Sequence, residues 1–314
     1  MSKIAYLFPG QGSQVVGMGK DISDKNECAK NVFDKANQSL GFDLKTMCFE
    51  GPEESLKVTY NTQPALLTTS VALYEAAKTL LPKADYVAGH SLGEYSALVV
   101  SGSLTFEDAV RTVHIRGKLM NEAVPSGVGA MAAVMGGERE LIKQVCNQVA
   151  STGLPVQMAN INCPGQIVIS GIKEGVEKAS TLLKENGVKR VIELPVSGPF
   201  HSELMEPIAK DLEKVLNTIQ VSDSTIPVVS NIDAMAKVDG TQIKSSLVKQ
   251  VYSSVLWEDS IQYMINQGVD TLVEIGSGKV LTGLVKKIDK NVKVHNIYDS
   301  ESLNTVAKEL GVLV

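Results

Sequence analysis

Residues 87–98 read VAGHSLGEYSAL. A short apolar run passes into Gly89, Ser91 and Gly93, and then into good helix formers. Gly-x-Ser-x-Gly at a strand-to-helix junction is the pattern of a nucleophile elbow, a sharp turn that lifts a serine hydroxyl clear of a sheet. The small residues on either side let the chain bend. The helix is expected to start at Leu92, and its first backbone N–H groups lack helical partners. They point back at the serine, where they can hold the oxyanion that forms when a carbonyl is attacked. A serine cap in a tight turn would leave the same letters, so the reactive reading depends on the partners available.

A serine hydroxyl needs a base at neutral pH. The chain has four histidines, His90, His114, His201 and His295. His90 adjoins the serine, so its side chain should leave the backbone in another direction. His114 falls on the polar side of a helix and reads as structural. His201 ends VSGPFH, in a loop at a junction where a cleft can form. His295 sits in a late strand, roughly where an α/β-hydrolase places its histidine. Spacing alone leaves His201 and His295 open.

Arg116 is the third residue of interest. In TFEDAVRTVHIRGKLMNEA (105–123), Phe106, Ala109, Val110, Val113, Gly117 and Met120 form one apolar stripe, and Arg116 lies on its edge. Its stem can rest on the core with the head in water. Alternatively it holds a buried anion, for which the guanidinium fork is well suited.

These residues need a frame. KIAYLF (3–8) reads as a buried strand, NTQPALLTTSVALYEAAKTLL (61–81) as a helix and DYVAG (85–89) as a strand; helices follow at 92–102 and 105–123. The texture then changes. Strand 126–137, helix 138–150, strands 156–161 and 166–171, helix 173–187 and strand 189–196 follow the β-α-β-β-α-β order of a split βαβ, ferredoxin-like unit. Beyond it come a helix at 201–219, strands at 227–232, 271–276 and 293–298, and helices near 241–252, 257–267, 279–287 and 299–310. Such alternation implies an α/β fold with a mainly parallel sheet covered on both faces. The expected division is 1–125 with 197–314 as the catalytic subdomain and 126–196 as a small inserted one.

The 314 residues suffice for this arrangement. With 30 basic and 35 acidic residues the net charge is −5, which argues against general nucleic-acid binding. No apolar run reaches the ~18 residues of a membrane span, and MSKIAYLFPGQG is too short in its apolar part for a secretion signal. A cytoplasmic protein is expected. Cys28, Cys48, Cys146 and Cys163 show no CxxC pair or metal-ligand spacing, so reduced structural thiols and no metal site are expected.

Taken together, FPGQGSQ (8–14), TQPAL (62–66), GHSLGEYSAL (89–98), the Arg116 helix, NINCPGQIVISG (160–171), GPFHS (198–202) and EIGSGKVLTGL (274–284) resemble the malonyl-CoA:acyl carrier protein transacylases in order and spacing. The resemblance spans the whole chain. It implies an α/β-hydrolase-like large subdomain carrying a ferredoxin-like small one. It favours His201 over His295 as the base and puts Ser91 on the nucleophile. It puts Arg116 on the residue that pairs with the malonyl carboxylate, and Gln11 and Leu92 on the backbone oxyanion positions. Gln250 falls on the residue whose main-chain carbonyl orients the histidine, so no acid is required there; Asp259 and Glu274 remain as alternatives, expected to be structural. Phe200, just before the histidine, goes with malonyl rather than methylmalonyl groups. Ser277 and Cys163 depart from the family's usual Pro and Ser, both in turns.

The implied reaction is ping-pong transfer of malonyl from malonyl-CoA to the phosphopantetheine thiol of acyl carrier protein, supplying fatty acid synthesis. No cofactor, no nucleic acid and no membrane partner is expected, and the protein is expected to be a monomer. Lys286, Lys287 and Lys290, with Lys189 and Arg190, are the expected docking cations for the acidic carrier. The rival reading, a serine esterase or thioesterase, would pair an acid with His295 and release free acid.

Overall fold

The computed structural model describes residues 2–125, 127–196 and 198–312. Among them are ten strands: β1 (Lys3–Phe8), β2 (Tyr86–Gly89), β3 (Gly129–Met135), β4 (Val156–Cys163), β5 (Gln166–Ile172), β6 (Arg190–Glu193), β7 (Val228–Val229), β8 (Ala236–Lys237), β9 (Val269–Ile275) and β10 (Lys293–Ile297). β1 is buried from Ile4 onward, as a strand covered on both faces must be. It lies inside a six-stranded sheet of order β10-β9-β1-β2-β7-β8. Every pairing there is parallel except the terminal β7–β8 hairpin.

That hairpin differs from the reading of 227–232 as one strand. β7 keeps only two residues, and the chain then turns through Ala234, whose φ is 53°. The turn frees Asn231 for a role described below. Four helices, Lys20–Lys25, Glu27–Leu40, Leu44–Glu50 and Glu53–Lys57, fill a stretch to which the pattern reading gave no structure. The helix expected over 201–219 runs from Glu206 to Asn217, preceded by a single tight turn at Glu203–Met205.

The second sheet has order β4-β5-β3-β6 with all neighbours antiparallel. Helices Arg139–Ala150 and Lys173–Glu185 intervene in the chain, which gives the expected ferredoxin-like unit. Its own core packs Ile142, Val145 and Val149 with Val176, Ala179 and Leu183 over Val134, Ile167 and Ile169. The expected subdomain limits at Ser126 and Ser197 lie outside the described residues.

Helix Thr59–Ala77 is buried almost all round, the signature of a central rather than a surface helix. It contains Pro64, which cannot donate to the carbonyl of Tyr60 one turn back. His114 Nδ1 takes that place, donating to Tyr60 O at 2.7 Å. His114 is therefore half-buried and structural, not simply on a polar face.

Candidate active site

β1 and β2 run side by side, with Phe8 opposite Gly89, so the loops that follow leave the same edge of the sheet. This carboxyl edge is where open α/β sheets bind ligands. The loops touch: His90 N–H donates to Phe8 O over 3.0 Å, and a Cβ on Gly10 would sit 2.4 Å from His90 O. Around the elbow the need for glycine is steric. A Cβ on Gly89 would meet the Gly93 carbonyl at 1.9 Å, and one on Gly93 would meet Phe8 O at 2.0 Å.

Ser91 itself has φ of 50°, an unfavourable conformation for a residue with a side chain, which persists only where its surroundings enforce it. Asn231 does so. Its Oδ1 accepts from Ser91 N–H at 2.7 Å, and its Nδ2 donates to Gly89 O at 2.7 Å. One side chain thus clamps both limbs of the turn. The helix Gly93–Val100 begins just after, with Leu92 already helical at its cap.

His201 is buried and also has positive φ, 58°. Its Nε2 lies 2.7 Å from Ser91 Oγ and its Nδ1 2.8 Å from the main-chain oxygen of Gln250. A carbonyl only accepts, so Nδ1 carries the proton and Nε2 presents its lone pair to the serine. Burial, and after it the charge of Arg116, push the His201 pKa down to about 3. The ring is neutral across the physiological range. Gln157 of β4 grips the loop from the small sheet, donating to His201 O at 3.3 Å and accepting from Glu203 N–H at 2.9 Å.

Arg116 is 1% exposed, so it does not snorkel. Next to it, Gly117 permits close helix packing: a Cβ there would lie 2.5 Å from Tyr60 Cα. The guanidinium donates from Nη1 to Gln63 Oε1 at 2.8 Å, and from Nη2 to Gln250 Oε1 at 2.9 Å and Ser91 Oγ at 3.1 Å. Its Nε has no partner among the described residues. Burial lowers its pKa, while Tyr95 and Glu94 pull the other way. The acceptors of these hydrogen bonds are all neutral oxygens, which a carboxylate can displace by offering the stronger charge-assisted bonds.

Ser91, His201 and Arg116 face a cavity of about 250 Å³ between the two sheets. Gln11, Leu92 and Phe200 line it too, as do Met131, Asn162 and Leu194 from the small unit. Neither Gln11 nor Leu92 spends its backbone N–H on a protein acceptor among the described residues. The other histidines lie apart from this chemistry. His90 turns to Asn162 Oδ1 at 2.8 Å and against Trp257. His295 pairs with Glu309 on the outer strand β10. Asp259 pairs with Arg139, and Glu274 caps the Val280–Ile288 helix through Leu281 and Thr282 N–H. Ser277 donates to Ser13 O at 2.7 Å, and Cys163 is buried.

Sequence reasoning missed Gln63, Glu94 and Asn231, which hold Arg116, Gln250 and the elbow. Glu94 alone gave a signal: a carboxylate on the first turn of an otherwise apolar helix, 2% exposed in the fold. Burial raises its pKa to about 7 despite donation from the Gln250 amide and Asn231 N–H.

The geometry agrees with the comparisons. The acyl transferase domain model matches residues 5–312. A malonyl CoA-acyl carrier protein transacylase of Bacillus subtilis is 53% identical over 310 residues, covering 99% of this chain and 98% of the relative. The crystal structure of an acyl carrier protein S-malonyltransferase from Vibrio cholerae superposes with a TM-score of 0.95 at 46% identity, over 97% of this chain and 100% of that one. A malonyl-transacylase solved in complex with a type II PKS acyl-carrier protein gives a TM-score of 0.95 at 43% identity, over 98% of this chain and 100% of that one. With its elbow, its serine–histidine pair and this likeness along its whole length, the chain belongs to the acyl transferase family.

Proposed function

We propose that the chain transfers a malonyl group from malonyl-CoA to the phosphopantetheine thiol of acyl carrier protein, through a malonyl-serine ester. The observation that carries this reading is the buried Arg116, which donates to three neutral oxygens, Ser91 Oγ among them at 3.1 Å. A serine esterase has no use for a buried cation there; an acyl group ending in a carboxylate does. The acid–histidine pair of the esterase reading exists as His295–Glu309, but on the outer strand and away from Ser91.

In the first half-reaction His201 Nε2 takes the Ser91 proton and Oγ attacks the thioester carbon. The Gln11 and Leu92 N–H groups hold the oxyanion. The C–S bond breaks, the departing sulfur takes the proton from His201, and CoA leaves as its thiol. In the second, His201 takes the proton of the carrier's thiol, and the thiolate attacks the ester carbon. The C–O bond to Ser91 breaks and the proton returns to Oγ. The Gln250 carbonyl keeps the imidazole in the one tautomer that serves both halves.

Arg116 holds the distal carboxylate throughout, and Phe200, lining the cavity, crowds an α-methyl group. That discrimination is modest, since a single methylene is worth ~1–3 kcal/mol. The steps use side chains and the two thiols and call on no cofactor. The carrier docks at the cavity rim, where Lys287 Nζ donates to the cavity-lining Gln166 over 3.3 Å. No helix among the described residues is long and apolar enough to cross a membrane, and the reading places the enzyme in the cytoplasm, acting as a monomer on soluble substrates.

The test offers malonyl-CoA with and without holo acyl carrier protein, following malonyl-protein against free malonate. Malonyl-enzyme that persists until the carrier is added is expected. Prompt release of malonate without carrier would establish the hydrolase instead.

A further inference from the structure

Among the described residues no carboxylate touches the Arg116 guanidinium, yet a buried carboxylate stands one side chain away. Glu94 follows the elbow by three residues and faces inward. Its Oε2 accepts from Gln250 Nε2 at 2.7 Å and from Asn231 N–H at 3.2 Å. The other end of the same Gln250 amide, Oε1, accepts from Arg116 Nη2 at 2.9 Å. Carboxylate, amide and guanidinium therefore form a line, with the amide as the bridge.

An amide can present either end to a neighbour. Beside Glu94 only the NH2 end fits, which turns the oxygen towards Arg116. The Ser91 carbonyl also accepts from Gln250 Nε2, but at 3.0 Å and without charge. Glu94 supplies the shorter bond, which is charge-assisted once the carboxylate is ionised. A carboxylate in direct contact with Arg116 would form an ion pair that an incoming acid must break. A buried guanidinium with no negative charge nearby would be expensive to keep. The bridge meets both demands: it brings the counter-charge close and leaves the fork with acceptors that exchange readily.

We propose that Glu94 is a positioning residue that fixes the Gln250 amide and, when ionised, serves as the indirect counter-ion of Arg116, keeping the guanidinium aimed for the carboxylate end of the acyl substrate. The proposal rests on the malonyl-transfer reading. It predicts an effect on the choice of acyl group, which a general loss of packing would not produce.

The experiment measures kcat/KM for malonyl-CoA and acetyl-CoA at pH 8, where Glu94 is ionised, in the wild type, Glu94→Gln, Gln250→Ala and the double variant, with thermal melts of each. Glu94→Gln should lower the malonyl-to-acetyl ratio by roughly ten- to a hundredfold, the worth of a bond to a charged group. The double variant should have the same ratio as Gln250→Ala alone, because Glu94 acts through that amide. A parallel fall for both substrates, or ratio effects that multiply in the double variant, overturns the proposal. Should Glu94→Gln fail to fold, Glu94→Asp withdraws the charge without removing it: a lowered ratio supports the proposal and an unchanged ratio overturns it. A wild type that loads no malonyl refutes the transfer reading, and this proposal with it.

Discussion

Arg116 Nη2 lies 3.1 Å from Ser91 Oγ, which lies 2.7 Å from His201 Nε2. The group that would bind the far end of the substrate thus touches the nucleophile at the near end. It also holds down the proton affinity of the imidazole, second only to burial. A carboxylate arriving on Arg116 would offset that charge and make His201 a better base at the moment a base is needed. Acetyl-CoA, with no carboxylate, cannot do this.

Arg116→Ala should therefore cut kcat/KM for malonyl-CoA by about a hundredfold, the scale of a lost charge-assisted contact. Acetyl transfer should hold steady or improve. Arg116→Lys should recover little, since an ammonium cannot make the fork. Steady-state rates with both thioesters decide the matter, and a matched loss on both would make Arg116 a structural residue.

The same variant bears on pH. kcat/KM reports the free enzyme, where burial and Arg116 together hold His201 at about 3. With Arg116→Ala the acid limb of the kcat/KM profile should move up towards the ordinary histidine value of 6.5. Profiles measured with acetyl-CoA, which both proteins should accept, give the comparison; an unmoved limb would mean the arginine charge is not felt at the imidazole.

Ser91→Ala should abolish the covalent intermediate while keeping the fold. Intact-protein mass spectrometry after addition of malonyl-CoA reads this directly, and a malonyl adduct on the alanine protein would point to another nucleophile. His201→Ala should slow transfer by roughly 10²–10⁴, whereas His295→Ala should leave it near wild type. The reverse ranking would restore the hydrolase geometry.

Glu94 gives a stability signature. Its folded pKa, about 7, lies above its ordinary 4.5. The folded state thus holds a proton that the unfolded chain has lost, and its stability contribution is full below pH 4.5 and lost as pH rises through 7. Glu94→Gln, which cannot ionise, should therefore gain stability relative to wild type on going from pH 4.5 to 8. Urea titrations at the two pH values measure the difference; a flat difference would show that Glu94 ionises as freely folded as unfolded.

Asn231→Ala should loosen the elbow. It leaves Ser91 N–H and Gly89 O without the partners they have now, and a stranded buried polar group costs ~1–3 kcal/mol. Stability and kcat should fall together, with KM for malonyl-CoA little changed. Denaturant unfolding and initial rates test this, and full activity would mean the turn holds its shape unaided.

The elbow, the two-sheet organisation and the parallel order were legible because each has a local cause: glycine where backbones collide, apolar runs where strands are buried, the 3.6-residue stripe that carries Arg116. The base was not fixed by pattern. His201 ends a loop and His295 lies in a strand, and neither setting names the partner of Ser91; contacts from the distant Gln157 and Gln250 hold His201 there. Gln63, Glu94 and Asn231 escaped notice for the same reason, since a polar side chain reveals its work through partners up to 156 residues distant. Of the four helices in 20–57, three have seven residues or fewer and carry too little pattern to read; the fourth, Glu27–Leu40, has an apolar face and the caps Asn26 and Gly41, so its signal was present and overlooked.

β1 pairs with β2 on one side and with β9 on the other. Lys3 thus meets Val269, near the opposite end of the chain. While the protein is being synthesised, the sheet's inner strand waits with one flank bare until most of the polypeptide has emerged. Such distant pairing slows folding, and an unprotected strand edge invites other chains. Nascent chains cut off before Val269 should aggregate, and a chaperone that shelters β1 should raise the yield of soluble enzyme more than one acting after release.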